Sequence, residues 1–337
     1  MAEERNEVRQ MIRALRIYES NRFDPYTNLA TEKRLLEMVQ PGECILYLWQ
    51  NQNTVVIGRN QNPWVECRTA LLEDEGGHLA RRLSGGGAVF HDLGNLNFTF
   101  LISAEDYDVD RQLSVIRKAC AMAGIQTEKS GRNDVLANGS KFSGNAFYQS
   151  KGRAYHHGTL LICADMDKLQ RYLSPSKAKL EAKGVASVRS RVINLQELAP
   201  GLTCDQMRQY MRTAFEEVYG LTASSVELTR QDAVEIAETA ALYSSWDYLY
   251  GTPLPFSFAC ETRFPWGQFR LELQAKSGSI TAVKVYSDAM DWQIAASVEQ
   301  ALCDCVFRLE DMQKALRAAL DTQIADDLCG LLAQQNL

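Results

Sequence analysis

Apolar and polar residues follow two different periods along this chain, and the periods separate predicted helices from predicted strands. Apolar residues at helical spacing indicate helices, and short β-branched and aromatic runs between turn residues indicate strands. Asp24-Pro25 is a capping and first-turn signal, so we expect a helix from there to Pro41-Gly42. The predicted strands span 44–49, 54–57, 78–82, 88–91, 96–102, 135–137, 141–149, 153–163, 268–275 and 280–286.

Further helices are predicted where the helical period continues for two turns or more. Residues 1–15 are charged and predict a short helix or a frayed arm. The other predicted helices span 63–74, 111–123, 166–173, 204–219 and 232–243, and three more follow residue 290 up to about 333.

The order of these elements predicts an α+β fold with a mixed, mainly antiparallel sheet. Strands follow one another through short turns, such as Asn138-Gly139, and not through regular crossover helices. Gly251-Thr-Pro-Leu-Pro indicates an extended connection. We therefore expect a larger domain over 1–246, a linker over 247–254 and a small α+β domain over 255–337.

Composition removes several classes of protein from consideration. The chain has 337 residues and a net charge of −6, which argues against a nucleic-acid-binding surface. No apolar run approaches 18 residues, so we expect no membrane span. Nine cysteines without a CxxC pair, after an acidic N-terminus, indicate a cytoplasmic protein with reduced thiols.

The first candidate for chemistry is the segment from Arg81 to Asp92, where Arg81 and Arg82 precede Ser84-Gly85-Gly86-Gly87. Glycine backbone lets a ligand approach closely, and two guanidinium groups attract anions. A hairpin turn with two solvated arginines is the alternative. The segment fits neither the GxxxxGK[ST] phosphate loop nor the GxGxxG fingerprint.

A second candidate combines Lys141 with Gly144 and Asp134. A lysine at the start of a strand is a compact positive charge that suits a phosphate or a carboxylate. The single carboxylate of Asp134 is a candidate Mg²⁺ ligand. A solvated hairpin lysine is the alternative.

Two further stretches are ambiguous on their own. His156 and His157 are adjacent on a predicted strand, so their side chains point to opposite faces and do not share a metal; structural roles are favoured, although one could line a pocket. The basic segment from Lys168 to Arg191 fits a solvated surface or an anion-binding loop.

Taken together, these stretches resemble the lipoate–protein ligase A family over roughly residues 18–337. The motifs occur in the family's order: Asp24-Pro-Tyr-Thr-Asn-Leu-Ala, residues 54–64, 81–92, 131–134, 141–146, 156–161 and 182–192. The resemblance implies a core shared with biotin protein ligases and related to class II synthetases. It also implies activation of lipoate by ATP, with Mg²⁺, to lipoyl-AMP.

The resemblance assigns roles to individual residues. Lys141 matches the lysine that contacts both the lipoyl carboxylate and the ATP phosphate. The matches to the nucleotide-binding segment are Arg82, Gly87, Ala88, Val89 and Phe90. The matches to the lipoate-binding loop are Ser84, Gly85, Gly86 and Gly87, and we expect Gly144 and His157 to contact lipoate as well. The matches to the adenylate-binding loop are Lys183, Gly184 and Val185.

The implied acceptors are the lipoyl domains of 2-oxoacid dehydrogenase E2 subunits and the glycine cleavage H protein, and we expect a monomer. A transferase of the same fold, acting through a cysteine thioester, is the nearest alternative, with Cys163 as the candidate thiol. A non-catalytic lipoate or nucleotide sensor and a biotin ligase are further alternatives. The sequence does not tell whether octanoate is also a substrate.

Overall fold

The computed structural model describes residues 12–130, 134–173, 192–250, 258–276 and 279–335. None of the described helices is both long and apolar enough to cross a lipid bilayer. The helices are α1 (Pro25–Met38), α2 (Pro63–Glu66), α3 (Thr69–Asp74), α4 (Val109–Met122), α5 (Met166–Tyr172), α6 (Cys204–Tyr219), α7 (Arg230–Tyr243), α8 (Trp246–Leu249), α9 (Gln293–Leu302), α10 (Leu309–Ala319) and α11 (Thr322–Ala333).

Three sheets contain the described strands. The strands are β1 (Ala14–Glu19), β2 (Glu43–Trp49), β3 (Thr54–Ile57), β4 (His78–Arg81), β5 (Val89–His91), β6 (Asn95–Ser103), β7 (Glu128–Ser130), β8 (Asp134–Ala137), β9 (Ser140–Ser150), β10 (Arg153–Leu161), β11 (Ala223–Ser225), β12 (Phe258–Phe264), β13 (Gly267–Lys276) and β14 (Ser279–Ser287).

The main sheet has eight strands in the order β11-β1-β2-β6-β10-β9-β8-β7. β1 is parallel to β2 and to β11, and the other pairs are antiparallel. The prediction of a mixed, mainly antiparallel α+β fold is therefore confirmed. The expected helix or arm over 1–15 is wrong for its described end, since Ala14 and Leu15 begin β1. The charged residues did not indicate a strand, and β1 forms because it pairs in parallel with β2 and β11.

The glycine segment does not form a hairpin turn. β3 is the centre of a small sheet in the order β4-β3-β5, parallel to β4 and antiparallel to β5. The chain from Arg82 to Ala88 therefore crosses from one edge of this sheet to the other. This crossing places the glycines on the inner side of the fold, above the main sheet.

Both faces of the main sheet are covered, which explains why β2 is buried at every residue. Leu46 and Leu48 face a core with α4 and α6, whereas Ile45, Tyr47 and Trp49 face a second core with α1 and α7. Asp24 caps α1 through a bond of 2.7 Å from the Thr27 amide to its carboxylate, as the sequence predicted. The cap fixes the start of α1 on the face of the main sheet that carries Ile45, Tyr47 and Trp49.

The C-terminal strands and helices have their own core. β12, β13 and β14 form an antiparallel sheet that packs on α9, α10 and α11. β12 was not predicted, and the helix predicted over 63–74 is divided into α2 and α3. In the predicted linker, α8 packs with the first unit, because Leu249 lies in the same buried cluster as Ile57 and Phe90.

The segment between β14 and α9 touches the glycine segment. The Gly86 amide donates to the Ala289 carbonyl at 3.0 Å. A Cβ atom on Gly85 would lie only 2.3 Å from the same oxygen and 2.7 Å from the Met290 carbonyl oxygen. Gly85 is therefore required by the close approach of two backbones.

We predict that Gly85→Ala lowers the thermal unfolding midpoint, because overpacking against backbone costs about 1–3 kcal/mol. Gly330→Ala is the matched control, since Gly330 lies in α11 with no atom within 4 Å of the added Cβ. Removal of a helical glycine should raise stability by about 0.5–1 kcal/mol. Equal midpoints for Gly85→Ala and the wild type, in calorimetry, would contradict the close backbone contact.

Candidate functional site

Two adjoining cavities open between the small sheet and the main sheet. The first has a volume of about 140 Å³ and the second about 450 Å³. Five residues line both cavities, and these are Ala88, Val89, Lys141, Gly144 and Thr159. An elongated ligand in the first cavity would therefore meet a ligand in the second at Lys141.

The first cavity is mainly apolar, with a few polar groups. Leu29, Trp49 and Val56 supply apolar surface, and His91, Asn97 and His157 supply polar atoms. Met290, from the C-terminal unit, also lines it. Such a shape with few polar groups is typical of a site for a small amphipathic molecule.

Lys141 lies at the junction of the two cavities. Its Nζ atom is 2.6 Å from Asp134 Oδ1, across the β8–β9 pair. A Cβ atom on Gly144 would lie 3.0 Å from the same Nζ atom. Gly144 therefore makes room for the lysine side chain.

The second cavity is lined by the three residues that follow Gly87 and that were predicted to contact the nucleotide. Phe90 lines it together with Ala88 and Val89, and Asp134 lies on its wall beside Lys141. The remaining wall is apolar, and it consists of Leu136, Leu161, Leu169, Leu173 and Val192, with Gly139 and Thr159. Among the described residues, the surface of this cavity combines one cation, one carboxylate and a large apolar area.

The two arginines bind backbone inside the protein. The Arg82 guanidinium donates to the carbonyl oxygens of Val56, Gly85 and Gly87 at 2.7–3.2 Å, and it is 6% exposed. Arg81 donates to carbonyl oxygens of residues 58, 59 and 61 and to two in α8. Arg82 thus shapes the glycine segment in this structure, and its contact with a phosphate stays a prediction.

A buried chain of hydrogen bonds connects α1 to the glycine segment. Glu32 accepts from His157 Nδ1 at 2.8 Å and from the Thr99 hydroxyl at 2.7 Å. The Ser84 hydroxyl is 2.8 Å from His157 Nε2, and Arg82 Nε donates to the Ser84 oxygen at 3.0 Å. The order Glu–His–Ser resembles a catalytic triad, but Ser84 is fully buried and lines neither cavity. Ser84 therefore positions its neighbours.

The predicted lipoate-binding positions divide into two groups. Gly86, Gly87, Gly144, Lys141 and His157 line the first cavity. Ser84 and Gly85 do not, because Ser84 is bonded to His157 and Gly85 faces the C-terminal unit. Three predicted loop residues, Lys183, Gly184 and Val185, lie outside the described residues.

The adjacent histidines point to opposite faces, as predicted. His156 is fully buried among Phe98, Phe100 and Phe147, and burial lowers its pKa to about 3. His157 faces the first cavity. His156 therefore belongs to the core.

Several residues of the first cavity were missed in the sequence. Glu32 is bonded to His157, which lines the cavity. The other missed residues line the cavity themselves, and they are Leu29, Trp49, Val56, His91, Asn97 and Met290. Glu32 and Trp49 sit at positions that helix and strand patterns describe as packing residues. A carboxylate inside the apolar face of α1 was the one signal that could have drawn attention to Glu32.

The thiol that a covalent alternative needs is badly placed. Cys163 is exposed and lines neither cavity, and burial together with Asp92 raises its pKa. A raised pKa reduces the thiolate fraction at neutral pH. All nine cysteines are free.

Comparisons with known proteins match both units of the chain. The family model of the lipoyl protein ligase A/B catalytic domain matches residues 24–216, and that of the bacterial lipoate protein ligase C-terminus matches residues 254–328. A Bdellovibrio bacteriovorus protein named lipoate-protein ligase A is 42% identical over 309 residues, which are 90% of this chain and 91% of that protein.

Solved structures show the same fold. P. falciparum LipL1 in complex with lipoate superposes with a TM-score of 0.84 at 27% identity, covering 96% of this chain and 100% of that chain. A lipoate-protein ligase A bound with ATP has a TM-score of 0.63 at 25% identity, covering 72% of this chain and 99% of the other. The family models matched by both units and the 42% identity over most of the chain show that this chain belongs to the lipoyl protein ligase A/B family.

Proposed function

We propose that this protein activates lipoate with ATP to lipoyl-AMP and transfers the lipoyl group to a lysine of a lipoyl domain. One observation carries the proposal: an apolar cavity and a larger cavity meet at the Lys141 ammonium group. Adenylate formation needs a carboxylate and an α-phosphate to meet at one point. The relatives bound to lipoate and to ATP support the choice of substrates.

Lys141 would stabilise the reacting groups electrostatically. A carboxylate and a triphosphate repel each other, and a cation placed between them reduces this repulsion as charge redistributes in the transition state. The Lys141 side chain is 33% exposed, so water screens its charge less than that of a fully exposed lysine. Its ion pair with Asp134 holds the lysine side chain at the junction.

Asp134 fits the role of a Mg²⁺ ligand. Mg²⁺ at nucleotide sites is usually held by one or two carboxylates together with the phosphates of the substrate. Asp134 supplies one carboxylate on the wall of the second cavity. When bound, the ion would neutralise phosphate charge, while Lys141 would be freed to contact the carboxylate of the acid.

The acceptors that we propose are the lipoyl domains of E2 subunits and the glycine cleavage H protein. A solved relative, an archaeal bipartite lipoate protein ligase described with its E2 lipoyl domain, supports the first class; it has a TM-score of 0.64 at 25% identity. The acyl-adenylate held at the junction would react with the neutral amine of an acceptor lysine, which attacks the carbonyl carbon, forms the amide bond, loses a proton and displaces AMP. A monomer in the cytoplasm is the setting that we expect.

We predict that Lys141→Ala lowers the rate of lipoate-dependent pyrophosphate release by about 100-fold or more, the usual effect of removing one preplaced charge. The matched control is Lys129→Ala, because Lys129 also pairs with an aspartate, Asp110, at 2.8 Å but lies away from both cavities. Equal rates for the two variants would contradict the assignment of Lys141.

The same assay tests the reaction itself. Lipoate, octanoate and biotin would be offered in parallel with Mg-ATP and an apo lipoyl domain. Release of pyrophosphate with lipoate and lipoylation of the domain are expected. Binding of lipoate without any turnover would favour a sensor, and transfer only from an acyl carrier protein would favour the thioester mechanism.

Cys163→Ser should retain the wild-type rate of lipoylation in this assay, because the thiol lies outside both cavities and its pKa is raised. Cys204→Ser serves as a second cysteine control, since burial raises the pKa of that thiol to about 12. Loss of activity in Cys163→Ser alone would favour the covalent alternative.

Ser84→Ala should lower the free energy of unfolding by about 1–3 kcal/mol, because it leaves His157 Nε2 without its bonded hydroxyl group inside the protein. It should also raise the KM for lipoate more than the KM for ATP, since the glycine segment lines the first cavity. Ser114→Ala, on the exposed face of α4, is the control and should change neither quantity. Unchanged stability and KM in Ser84→Ala would show that the buried chain has no positioning role.

A further inference from the structure

A buried series of amide groups fixes the orientation of His91. Ser20 and Tyr47 donate to Asn28 Oδ1, and Asn28 Nδ2 donates to Asn51 Oδ1 at 3.0 Å. The Asn51 amide nitrogen then lies 3.2 Å from His91 Nδ1. An amide NH₂ group only donates, so Nδ1 of His91 must be the acceptor.

The second nitrogen of His91 therefore carries the proton. Burial, with Arg82 and His157 nearby, lowers the pKa of His91 to about 3, so the ring is neutral at pH 7. His91 lines the first cavity and is 4% exposed. Its Nε2–H has no hydrogen-bond acceptor within the described part of the chain.

Asn97 supplies a second buried donor without an acceptor at the same cavity. The Asn95 amide donates to Asn97 Oδ1 at 2.8 Å, which leaves Asn97 Nδ2 as a donor without an acceptor among the described residues. Asn97 is 1% exposed and lines the same cavity. Two buried donors in one apolar cavity are costly unless a ligand or a water molecule accepts from them.

The donors lie at the end of the cavity that is remote from Lys141. Asn97 is paired directly with Trp49 on β2 and with Thr159 on β10, and Gly144 on β9 is bonded to Thr159. His91 packs edge-on against Trp49, with ring centroids 6.1 Å apart. The cavity thus spans three strand-to-strand distances, roughly 14 Å in all. An eight-carbon acid with its carboxylate at Lys141 would place its far end beside Trp49, Asn97 and His91, which all line the cavity.

We propose that His91 and Asn97 recognise the sulfur atoms of the dithiolane ring and make this cavity select lipoate over acids of the same shape without sulfur. The inference rests on the proposed function, since it takes lipoate as the occupant. A ring sulfur is a weak acceptor, whereas a methylene group accepts nothing. An acid without sulfur would therefore leave both donors buried and unpaired.

The test compares lipoate with 5-cyclopentylpentanoate, which has the same chain and a five-membered ring but no sulfur, and with octanoate. Binding of each free acid is measured by calorimetry without ATP, on the wild type, His91→Phe and Asn97→Leu. We expect the wild type to bind lipoate roughly tenfold more tightly than the cyclopentyl acid, the ratio that corresponds to about 1.4 kcal/mol. Each variant should reduce this ratio by roughly threefold or more, mainly through weaker lipoate binding.

Val56→Ala is the control, because Val56 lines the same cavity with apolar atoms only. It should weaken all three acids alike and leave the ratio unchanged. The proposal is overturned if the wild type binds lipoate and the cyclopentyl acid equally, or if His91→Phe and Asn97→Leu weaken both acids by the same factor. The second result would indicate a purely structural role for the two residues.

The binding measurements do not require catalysis, so they test the selectivity for lipoate separately from the proposed reaction. Pyrophosphate release is measured on the same preparations, so a wild type that selects lipoate but releases no pyrophosphate would reject the proposed function and keep this inference. A wild type that releases pyrophosphate equally well with both ring acids and binds them equally would keep the function and reject the inference.

Discussion

The site depends on two buried charged groups, the Glu32 carboxylate and the Arg82 guanidinium group, which are connected through intervening side chains. Glu32 on α1 and Arg82 after β4 are both nearly inaccessible to water, and His157 and Ser84 connect them through hydrogen bonds. Each charge would be very unfavourable alone in this interior, so the chain between them constrains three parts of the fold at once. It holds α1, β10 and the glycine segment in one arrangement, and the first cavity is the space that this arrangement leaves.

The C-terminal unit takes part in the same construction. Its segment from Ser287 to Trp292 bonds to Asn60 and to Gly86, and Trp292 stacks on Tyr148 and lies under the Arg59 guanidinium group. The Met290 side chain forms part of the cavity wall. The two units, each of which matches its own family model, therefore share one cavity. Gly85 serves the contact between the units, and Gly86 both makes this contact and lines the cavity.

Sequence reasoning located the segments of the site but not the partners of each residue. Lys141, Gly144 and the residues from Gly86 to Phe90 all line the paired cavities, and their contacts with ligands stay a prediction. Arg82 was expected to hold phosphate; in this structure its guanidinium group donates to the carbonyl oxygens of Val56 in β3 and of Gly85 and Gly87 in the glycine segment. Glu32, Trp49, His91 and Asn97 were missed, because each follows the pattern of an ordinary packing or turn residue. Their roles arise from contacts between residues far apart in the chain.

The sequence by itself determined the local structure: Asp24-Pro25 begins α1, Asn138-Gly139 turns β8 into β9, and the alternation at His156-His157 divides the two rings between opposite faces. These features depend on backbone conformation and on neighbours within a few residues. Only the tertiary structure decided that β3 separates β4 from β5, that Gly85 meets Ala289, and that Asn51 gives His91 its proton position. Each of these follows from packing across the chain, where hydrogen-bond donors and acceptors must be satisfied together in a space without water.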